Sequence, residues 1–456
     1  MTIYFDLSTS ARWSGHAVGI VRVERELARW AYAHLGDKVE FCVYDKGANV
    51  FHKLNRQVTP AILEGECSIM LDTPKQVRAP RSLAAARKWA REQVMQQVEL
   101  YRLLQRLRGR RFTREDILNI RRREAAGVAF NDPVTRLTLG ETTTGALALG
   151  PGDVVISGGL DWEYKDLRSI YQLKAERGFK YAAVIYDLIP LIYPQFVVPT
   201  YIDLLHDYFG EMLWVCDYAM CISQCTERDF LNHCAVNHVP APRSTYFPLG
   251  SSLPADIEEE PVFPAELEGM RYCLFVSTLE PRKNHRVVCQ AWERLLRSGV
   301  LDPKRFRMVF VGRPGWAIGD LLHEISYNPW TKDTVVRLEG VSDALLAELY
   351  RRADFSLFPS FYEGYGLPLA EALAHGRPCL SSDRGSLPEV GGDLVRYVDP
   401  EDAPAWAEAM GELFTDPDLL RSQTARIARE HRPVTWSDAA EAFFQRLDGV
   451  MGEARA

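Results

Sequence analysis

The chain has 456 residues, of which 47% are hydrophobic and 25% charged, a composition typical of a globular protein with enough apolar material for two domains. The formal net charge of −7 excludes a general affinity of the whole chain for nucleic acid. No run of about 18 apolar residues predicts a membrane-spanning helix. The start, MTIYFDLSTS, lacks the regions of a signal peptide, and the nine scattered cysteines are typical of reduced thiols. We therefore expect a cytoplasmic protein.

The first elements predict the opening of a Rossmann-like domain. Residues 3–7, IYFDL, are apolar enough for a buried strand, and a loop follows them. From Ile20 onward apolar residues recur at helical spacing, which predicts a helix over 19–36. Another strand is predicted at 39–44. A strand, a glycine-containing loop and a helix in this order open such a domain.

Residues 81–125 interrupt this pattern. Strong helix formers and an N-cap at Thr113 predict an inserted helical hairpin. Residues 80–125 contain 13 Lys and Arg against 5 Asp and Glu, a local net charge of +8. Leucines lie beside arginines here, which favours contact with an anionic membrane surface or a lipid-diphosphate acceptor. The alternative is a solvated helical arm. A nucleic-acid interface would depend on this segment alone, and we expect no nucleic-acid partner.

Strands and helices then alternate in two series. The first series has strands predicted at 153–159, 180–188, 218–223 and 244–250. The Pro- and Glu-rich stretch in 251–270 predicts a linker. The second series has strands predicted at 272–278, 307–312, 334–340, 354–360 and 379–383, and a last helix at 436–449. This alternation predicts two parallel sheets that are covered by helices.

The richest site pattern is in 358–392, FPSFYEGYGLPLAEALAHGRPCLSSDRGSLPEVGG. A strand is predicted to end at Ser360. A helix is predicted to begin at Leu367 and Pro368 and to stop at Gly376. The free backbone N–H groups at the start of this helix predict an anion site.

Two glycines and two carboxylates surround that anion site. Gly364 and Gly366 let a ligand approach the backbone closely. Glu363 lies in the loop and Glu371 in the helix, eight residues apart. Taken singly, Glu371 could serve only the electrostatics of the helix N-terminus, and Glu363 could be a solvated loop residue.

The segment resembles the E-x7-E signature of the large retaining glycosyltransferase family 4, whose members have the GT-B fold. Four more segments resemble that family in order and spacing: FVSTLEPRKNH (275–285), FVGRPGW (310–316), LEGVSDALLAELYRRADFSLFPS (338–360) and SSDRGSLPEVGGDLVRYVDP (381–400). The resemblance is close over 270–450, looser in the N-terminal half and nearly absent at 81–125. It implies an α/β protein with two Rossmann-like domains, 1–255 and 265–435, that face each other across a cleft. A C-terminal helix in 436–456 would cross back to the N-terminal domain.

The resemblance also implies a donor site. Arg282 and Lys283 would pair with the diphosphate of a nucleotide sugar, because the leaving group gains negative charge in the transition state. Glu371 would hold the ribose hydroxyls, and Glu363 would contact the donor sugar as a catalytic carboxylate. Gly19, in HAVGIVRVERELA, would bring its backbone close to the donor phosphates. The loop residues assigned to the donor are Gly364, Tyr365, Gly366 and Leu367. Transfer would retain the anomeric configuration.

Two N-terminal segments resemble the acceptor side of the family. VIYDLIPLIYP resembles a strand and loop in which many members have His-Asp, but here the pair is Tyr186 and Asp187. A histidine role is therefore absent or altered. Asp187 is a candidate catalytic base or partner of an acceptor hydroxyl, or alternatively a loop cap. CISQCTERDF resembles the family's Ser-x-x-Thr stretch, so we expect Ser223 near the cleft and Thr226 as a helix cap.

No metal and no cofactor are expected, since Asp416-Pro417-Asp418 is predicted to be a turn between late helices. The segment STLEPRKNH resembles that of polysaccharide mannosyltransferases. GDP-mannose is therefore the first donor candidate, and UDP- and dTDP-sugars are the alternatives. The acceptor would be a glycan or a lipid-linked glycan in surface polysaccharide biosynthesis, at the inner face of the cell membrane if 81–125 binds lipid. The alternatives are another nucleotide-sugar enzyme, such as an epimerase, and an inactive GT-B scaffold subunit.

Overall fold

The computed structural model describes residues 2–13, 17, 19–70, 135–251 and 261–452. The insert predicted at 81–125 lies outside these residues. Within them, the two predicted series of strands form two separate, largely parallel sheets. No helix in the described residues has the length and hydropathy to cross a membrane. All nine cysteines are buried free thiols.

The N-terminal sheet contains the first series of strands. The strands of this half are β1 (Ile3–Asp6), β2 (Val39–Asp45), β3 (Val50–Leu54), β4 (Cys67–Met70), β5 (Thr135–Thr138), β6 (Thr143–Ala146), β7 (Val154–Ser157), β8 (Lys180–Ile185), β9 (Tyr218–Cys221) and β10 (Arg243–Tyr246). Eight of them form a sheet in the order β10-β9-β8-β7-β1-β2-β3-β6, and β4 pairs with β5 separately. Only the β2–β3 and β3–β6 pairs of the large sheet are antiparallel among the described strands.

Helices cover both faces of the N-terminal sheet. They are α1 (Ile20–His34), α2 (Thr59–Glu64), α3 (Leu139–Thr142), α4 (Asp161–Tyr164), α5 (Leu167–Arg177), α6 (Ile189–Ile192), α7 (Pro199–Val215) and α8 (Gln224–Val236). Apolar side chains of α1 and β1 build the core on one face, where Phe5 is fully buried. The other face packs against α5 and α7.

The C-terminal sheet is parallel throughout its described pairs. Its strands are β11 (Arg271–Val276), β12 (Phe306–Val311), β13 (Val335–Leu338), β14 (Phe355–Phe358), β15 (Cys379–Ser381) and β16 (Arg396–Tyr397), in the order β13-β12-β11-β14-β15-β16. Its helices are α9 (His285–Arg297), α10 (Gly319–Tyr327), α11 (Asp343–Arg352), α12 (Leu367–Ala374), α13 (Leu387–Gly391), α14 (Ala403–Thr415) and α15 (Pro417–Glu430). Trp292 and Trp406 are fully buried in its core.

The last helix, α16 (Trp436–Gly452), packs on the N-terminal half although it follows the C-terminal sheet in sequence. The ring of Phe444 stacks on Trp30 of α1 with 5.5 Å between the ring centroids. Gly250 allows Trp436 to approach, because a Cβ at that position would lie 2.6 Å from the indole. The domain limits 1–255, 265–435 and 436–456 stay predictions, since the junction at 252–260 is not among the described residues.

Strand order shows where a ligand can bind. In the C-terminal sheet the order reverses at β11 and β14, and in the N-terminal sheet at β1 and β7. Ligands of open parallel sheets bind beyond the carboxyl ends of the strands at such a reversal. The loops after β11 and β14 contain most of the residues that the sequence assigns to the donor.

Candidate active site

The loop after β11 presents Arg282 and Lys283. Residues Pro281–Lys283 form a short 3-10 turn, and Asn284 follows with φ of 57°. The buried Asn284 side chain donates hydrogen bonds to the carbonyl oxygens of Pro359, at 3.1 Å, and Pro400, at 2.7 Å. This amide ties the cationic turn to the loop after β14, so the two loops hold a fixed relative position.

Glu363 is bound by three side chains at this junction. Its carboxylate accepts hydrogen bonds from Lys283 Nζ at 2.5 Å, Arg282 Nη1 at 2.8 Å and Ser360 Oγ at 2.6 Å. Burial opposes its charge, but Arg282 and Lys283 outweigh burial and lower the pKa of Glu363 to about 2. Glu363 is therefore a buried carboxylate that stays ionised, and not the solvated loop residue that was the alternative.

The helix that follows begins as the sequence predicts. Gly366 has φ of 98° and precedes α12 without a side-chain cap, and Pro368 lies in the first turn. Glu371, one turn further, is buried and accepts a hydrogen bond from the Tyr350 hydroxyl at 3.2 Å. Burial raises the pKa of Glu371 to about 7, although Arg22 and Tyr350 act against it. The two carboxylates of the motif thus have opposite shifts.

Asp187 of the N-terminal half lies opposite this cluster. A Cβ at Gly364 would be 2.9 Å from the Asp187 Cβ and 2.4 Å from the Tyr186 carbonyl oxygen, so only glycine permits this contact. Burial raises the pKa of Asp187, and the charge of Arg282 opposes that effect most strongly. Asp187 also accepts a hydrogen bond from the Ile189 N–H at 3.1 Å. The predicted donor and acceptor residues therefore meet across the interface.

The other acceptor-side candidates are also at the interface. Ser223 Oγ donates to the Gly364 carbonyl oxygen at 2.7 Å, whereas the Tyr186 hydroxyl points into the N-terminal half and donates to Gly158 O at 2.5 Å. The expectation that Thr226 caps a helix is wrong. Ser223 is the N-cap of α8 and accepts from the Thr226 N–H at 3.0 Å, because its extended backbone leaves the hydroxyl free to turn back.

Two of the remaining predicted donor residues, Tyr365 and Leu367, also lie between the two halves. Tyr365 donates its hydroxyl hydrogen bond to Leu249 O at 3.0 Å, and both Tyr365 and Leu367 pack against the N-terminal core. Gly19 is the N-cap of α1, with φ of 53° and open space where a Cβ would be. Its exposed backbone is consistent with the predicted approach of a phosphate.

Sequence reasoning missed the partners that the N-terminal half supplies. The Tyr362 hydroxyl donates to Asp229 of α8 at 2.5 Å. The Glu389 carboxylate accepts from the backbone N–H groups of Gln224 at 2.8 Å and Cys225 at 2.6 Å, which are free donors at the α8 N-terminus. A glutamate in a sequence does not indicate which distant backbone groups it will contact. The sequence offered one signal only: the first backbone N–H groups of a helix have no partners within that helix.

A small cavity adjoins Asp187 on the N-terminal side. Its volume is about 160 Å³ and its walls include Tyr186, Trp162 and Tyr208. No group of three metal-ligating side chains occurs in the described residues. The Asp416 side chain of the D-x-D sequence caps α15 instead, accepting from the Asp418 and Leu419 N–H groups at 2.9 Å. That transfer needs no metal stays a prediction.

Comparison with known proteins supports the observed fold. Residues 270–416 match the family described as "Glycosyl transferases group 1". The sucrose-phosphate synthase of Thermosynechococcus elongatus has a similar structure, with a TM-score of 0.56 at 16% identity over 99% of each chain. At this identity the likeness concerns the fold alone. The fold is therefore GT-B, and the prediction of the fold class is confirmed.

Two relatives in Escherichia coli extend the comparison. The chain is 27% identical to the serotype-specific mannosyltransferase WbdA over 291 residues, which is 60% of this chain and 34% of that protein. It is 32% identical to the O-antigen chain mannosyltransferase B over 173 residues, or 38% of this chain and 44% of that protein. This chain thus spans less than half the length of either relative. Its similarity to the group 1 glycosyltransferases covers residues 270–416, and its predicted resemblance to polysaccharide mannosyltransferases is confirmed.

Proposed function

We propose that this protein is a retaining hexosyltransferase that moves mannose from GDP-mannose to a glycan or lipid-linked glycan in surface polysaccharide biosynthesis. One observation carries the proposal: Arg282, Lys283 and Glu363 converge at the strand-order reversal of the C-terminal sheet, with Asp187 opposite. The mannosyltransferase names of the two Escherichia coli relatives support mannose as the sugar.

The cations suit a departing nucleoside diphosphate. As the bond to the anomeric carbon breaks, the diphosphate gains negative charge, which fixed positive groups stabilise in a water-poor site. Arg282 offers a planar fork and Lys283 a point charge. Both now contact Glu363, so the donor phosphates would exchange with that carboxylate and leave Glu363 free to face the sugar. The start of α12 at Gly366 adds backbone N–H groups.

The acceptor hydroxyl would attack on the face from which the diphosphate leaves, and this geometry retains the anomeric configuration. Asp187 is the candidate for orienting that hydroxyl or accepting its proton. Burial raises the pKa of its carboxyl, which favours proton acceptance at a pH closer to neutral. The cavity beside Asp187, with aromatic walls at Trp162 and Tyr208, offers space for part of an acceptor.

A panel of nucleotide sugars tests the proposal. Among GDP-, UDP- and dTDP-sugars, the true donor should raise the melting temperature, since ligand at 100 times its Kd stabilises the folded state by about 2.7 kcal/mol. NMR of the product should show the donor's anomeric configuration, and Asp187→Asn should lower kcat with little change in donor affinity. An isomerised nucleotide sugar would identify an epimerase instead. Binding of none of the nucleotides would favour the inactive scaffold.

A further inference from the structure

Arg22 makes a contact between the two halves that the proposed donor chemistry has not used. It lies in the first turn of α1, and its Nη1 is 3.9 Å from Glu371 Oε1 in α12. The two side chains are only 13% and 10% exposed. The guanidinium also lies over the ring of Trp436, 5.2 Å from the ring centroid. Arg22 is thus fixed by the crossing helix α16 while it faces the C-terminal half.

Several elements surround the Glu371 carboxylate. Tyr350 of α11 donates its hydroxyl hydrogen bond, and Asp343 at the start of α11 contributes a like charge that raises the Glu371 pKa. The His375 ring contacts the Glu371 carbonyl oxygen, not its carboxylate, and stacks on Tyr350. Among the described charges that act on this carboxylate, Arg22 is the one that favours ionisation.

We propose that Arg22 is a positioning residue for the nucleotide: its guanidinium, 3.9 Å from Glu371, orients that carboxylate and favours its charged form, so that it can accept hydrogen bonds from both ribose hydroxyls. This role rests on the proposed function, in which Glu371 holds the ribose. It also depends on contact between the halves, because Arg22 and Glu371 belong to different sheets. Donor binding is therefore strongest when the two halves are together.

The ionisation of Glu371 gives the inference a pH signature. An ionised carboxylate accepts two hydrogen bonds from a ribose, whereas a protonated one must use one oxygen as a donor. With its pKa at about 7, Glu371 is close to half ionised at neutral pH. Loss of Arg22 raises that pKa further, since an opposite charge within about 4–6 Å lowers a carboxyl pKa by roughly 1–3 units. Donor affinity should then fall at neutral pH and recover at alkaline pH.

The test compares Arg22→Met with Arg22→Lys and with a control, Arg29→Met. Arg29 is on the same helix but pairs with Glu64 within the N-terminal half. GDP affinity by calorimetry, and donor KM and kcat, are measured from pH 6 to pH 9. We expect Arg22→Met to raise Kd and KM about tenfold at pH 7 and less than about threefold at pH 9, because each pKa unit is a tenfold change in the ionised fraction. Arg22→Lys should restore most of the affinity, and Arg29→Met should match the wild type.

Glu371→Gln separates this role from a structural one. The amide cannot ionise, so the variant should bind GDP weakly at every pH, and adding Arg22→Met to it should change little. A loss in Arg22→Met that is equal at pH 7 and pH 9, or wild-type affinity at pH 7, overturns the inference. If wild-type protein binds GDP, UDP and dTDP equally poorly, the proposed function itself fails, and this role fails with it.

Discussion

Lys283 is the residue whose removal best separates stability from catalysis. Ionised Glu363 has a pKa of about 2 against a usual 4.5, and at about 1.4 kcal/mol per unit this amounts to about 3 kcal/mol of folding free energy. Because the folded-state pKa is lowered, this contribution is complete above pH 4.5 and disappears as the pH falls through 2. Lys283 and Arg282 share it. We therefore expect Lys283→Met to lower the free energy of unfolding at pH 7 by about 2 kcal/mol.

The same substitution should reduce kcat/KM by about 30- to 1000-fold, which corresponds to roughly 2–4 kcal/mol of lost transition-state stabilisation. Urea unfolding and initial rates with the nucleotide sugar measure the two effects. The double variant Lys283→Met, Glu363→Gln removes the uncompensated charge, so it should recover stability but not activity. Lys332→Met is the control, since its pair with Asp333 is exposed and contributes about 0–1 kcal/mol. Near-normal kcat/KM in Lys283→Met would refute the assignment, whatever the loss of stability.

Three further results are expected. Tyr362→Phe removes the hydrogen bond to Asp229 across the interface. It should lower kcat about tenfold, the scale of a charge-assisted hydrogen bond, and should change the calorimetric Kd for the nucleotide less. An unchanged kcat would contradict this prediction. Transfer should persist in EDTA, and a loss that Mn²⁺ restores would show that a metal is needed. Reversing the charge of the four arginines in 106–111 should raise KM for a lipid-linked acceptor and weaken liposome co-sedimentation, with donor KM constant; unaltered acceptor kinetics and liposome binding would leave 81–125 as a solvated arm.

The sequence predicted those parts of the site that depend on local chain geometry. The helix start at Gly366 has a glycine in the left-handed conformation and a proline in the first turn, and both residues can be recognised directly in the sequence. The meeting of Arg282, Lys283 and Glu363 follows from the parallel sheet, because the loops after adjacent strands emerge at the same edge. The ionic state of Glu363 did not follow, since it depends on burial as well as on its partners.

Part of the fold could not be predicted from the sequence, because the sequence patterns that indicate its strands are weak. Strand β3 returns antiparallel to β2 after a turn in which the Asp45 carboxylate accepts from the Gly47 N–H at 2.8 Å. Asn49 has φ of 55° in that turn. The sequence DKGAN is typical of such a turn, yet the short strand behind it has no strict alternation of apolar residues. Only pairing with β2 and β6 gives it a defined place.

The contacts between the two halves were the least predictable from the sequence, and these contacts bear on the mechanism. Tyr362 and Gly364, on either side of Glu363, are both bound by α8, through Asp229 and Ser223. The loop that we propose to contact the donor sugar is therefore held in position by hydrogen bonds to the other half. Glu371 depends on the other half in the same way, through Arg22. The two carboxylates have pKa values of about 2 and about 7, so a change in the contact between the halves affects them differently. Glu363 stays ionised with its own cations, whereas Glu371 loses its opposing charge when the halves separate. Separation of the halves should therefore change the nucleotide affinity through the ionisation of Glu371, and change the rate of the reaction step through the position of Glu363.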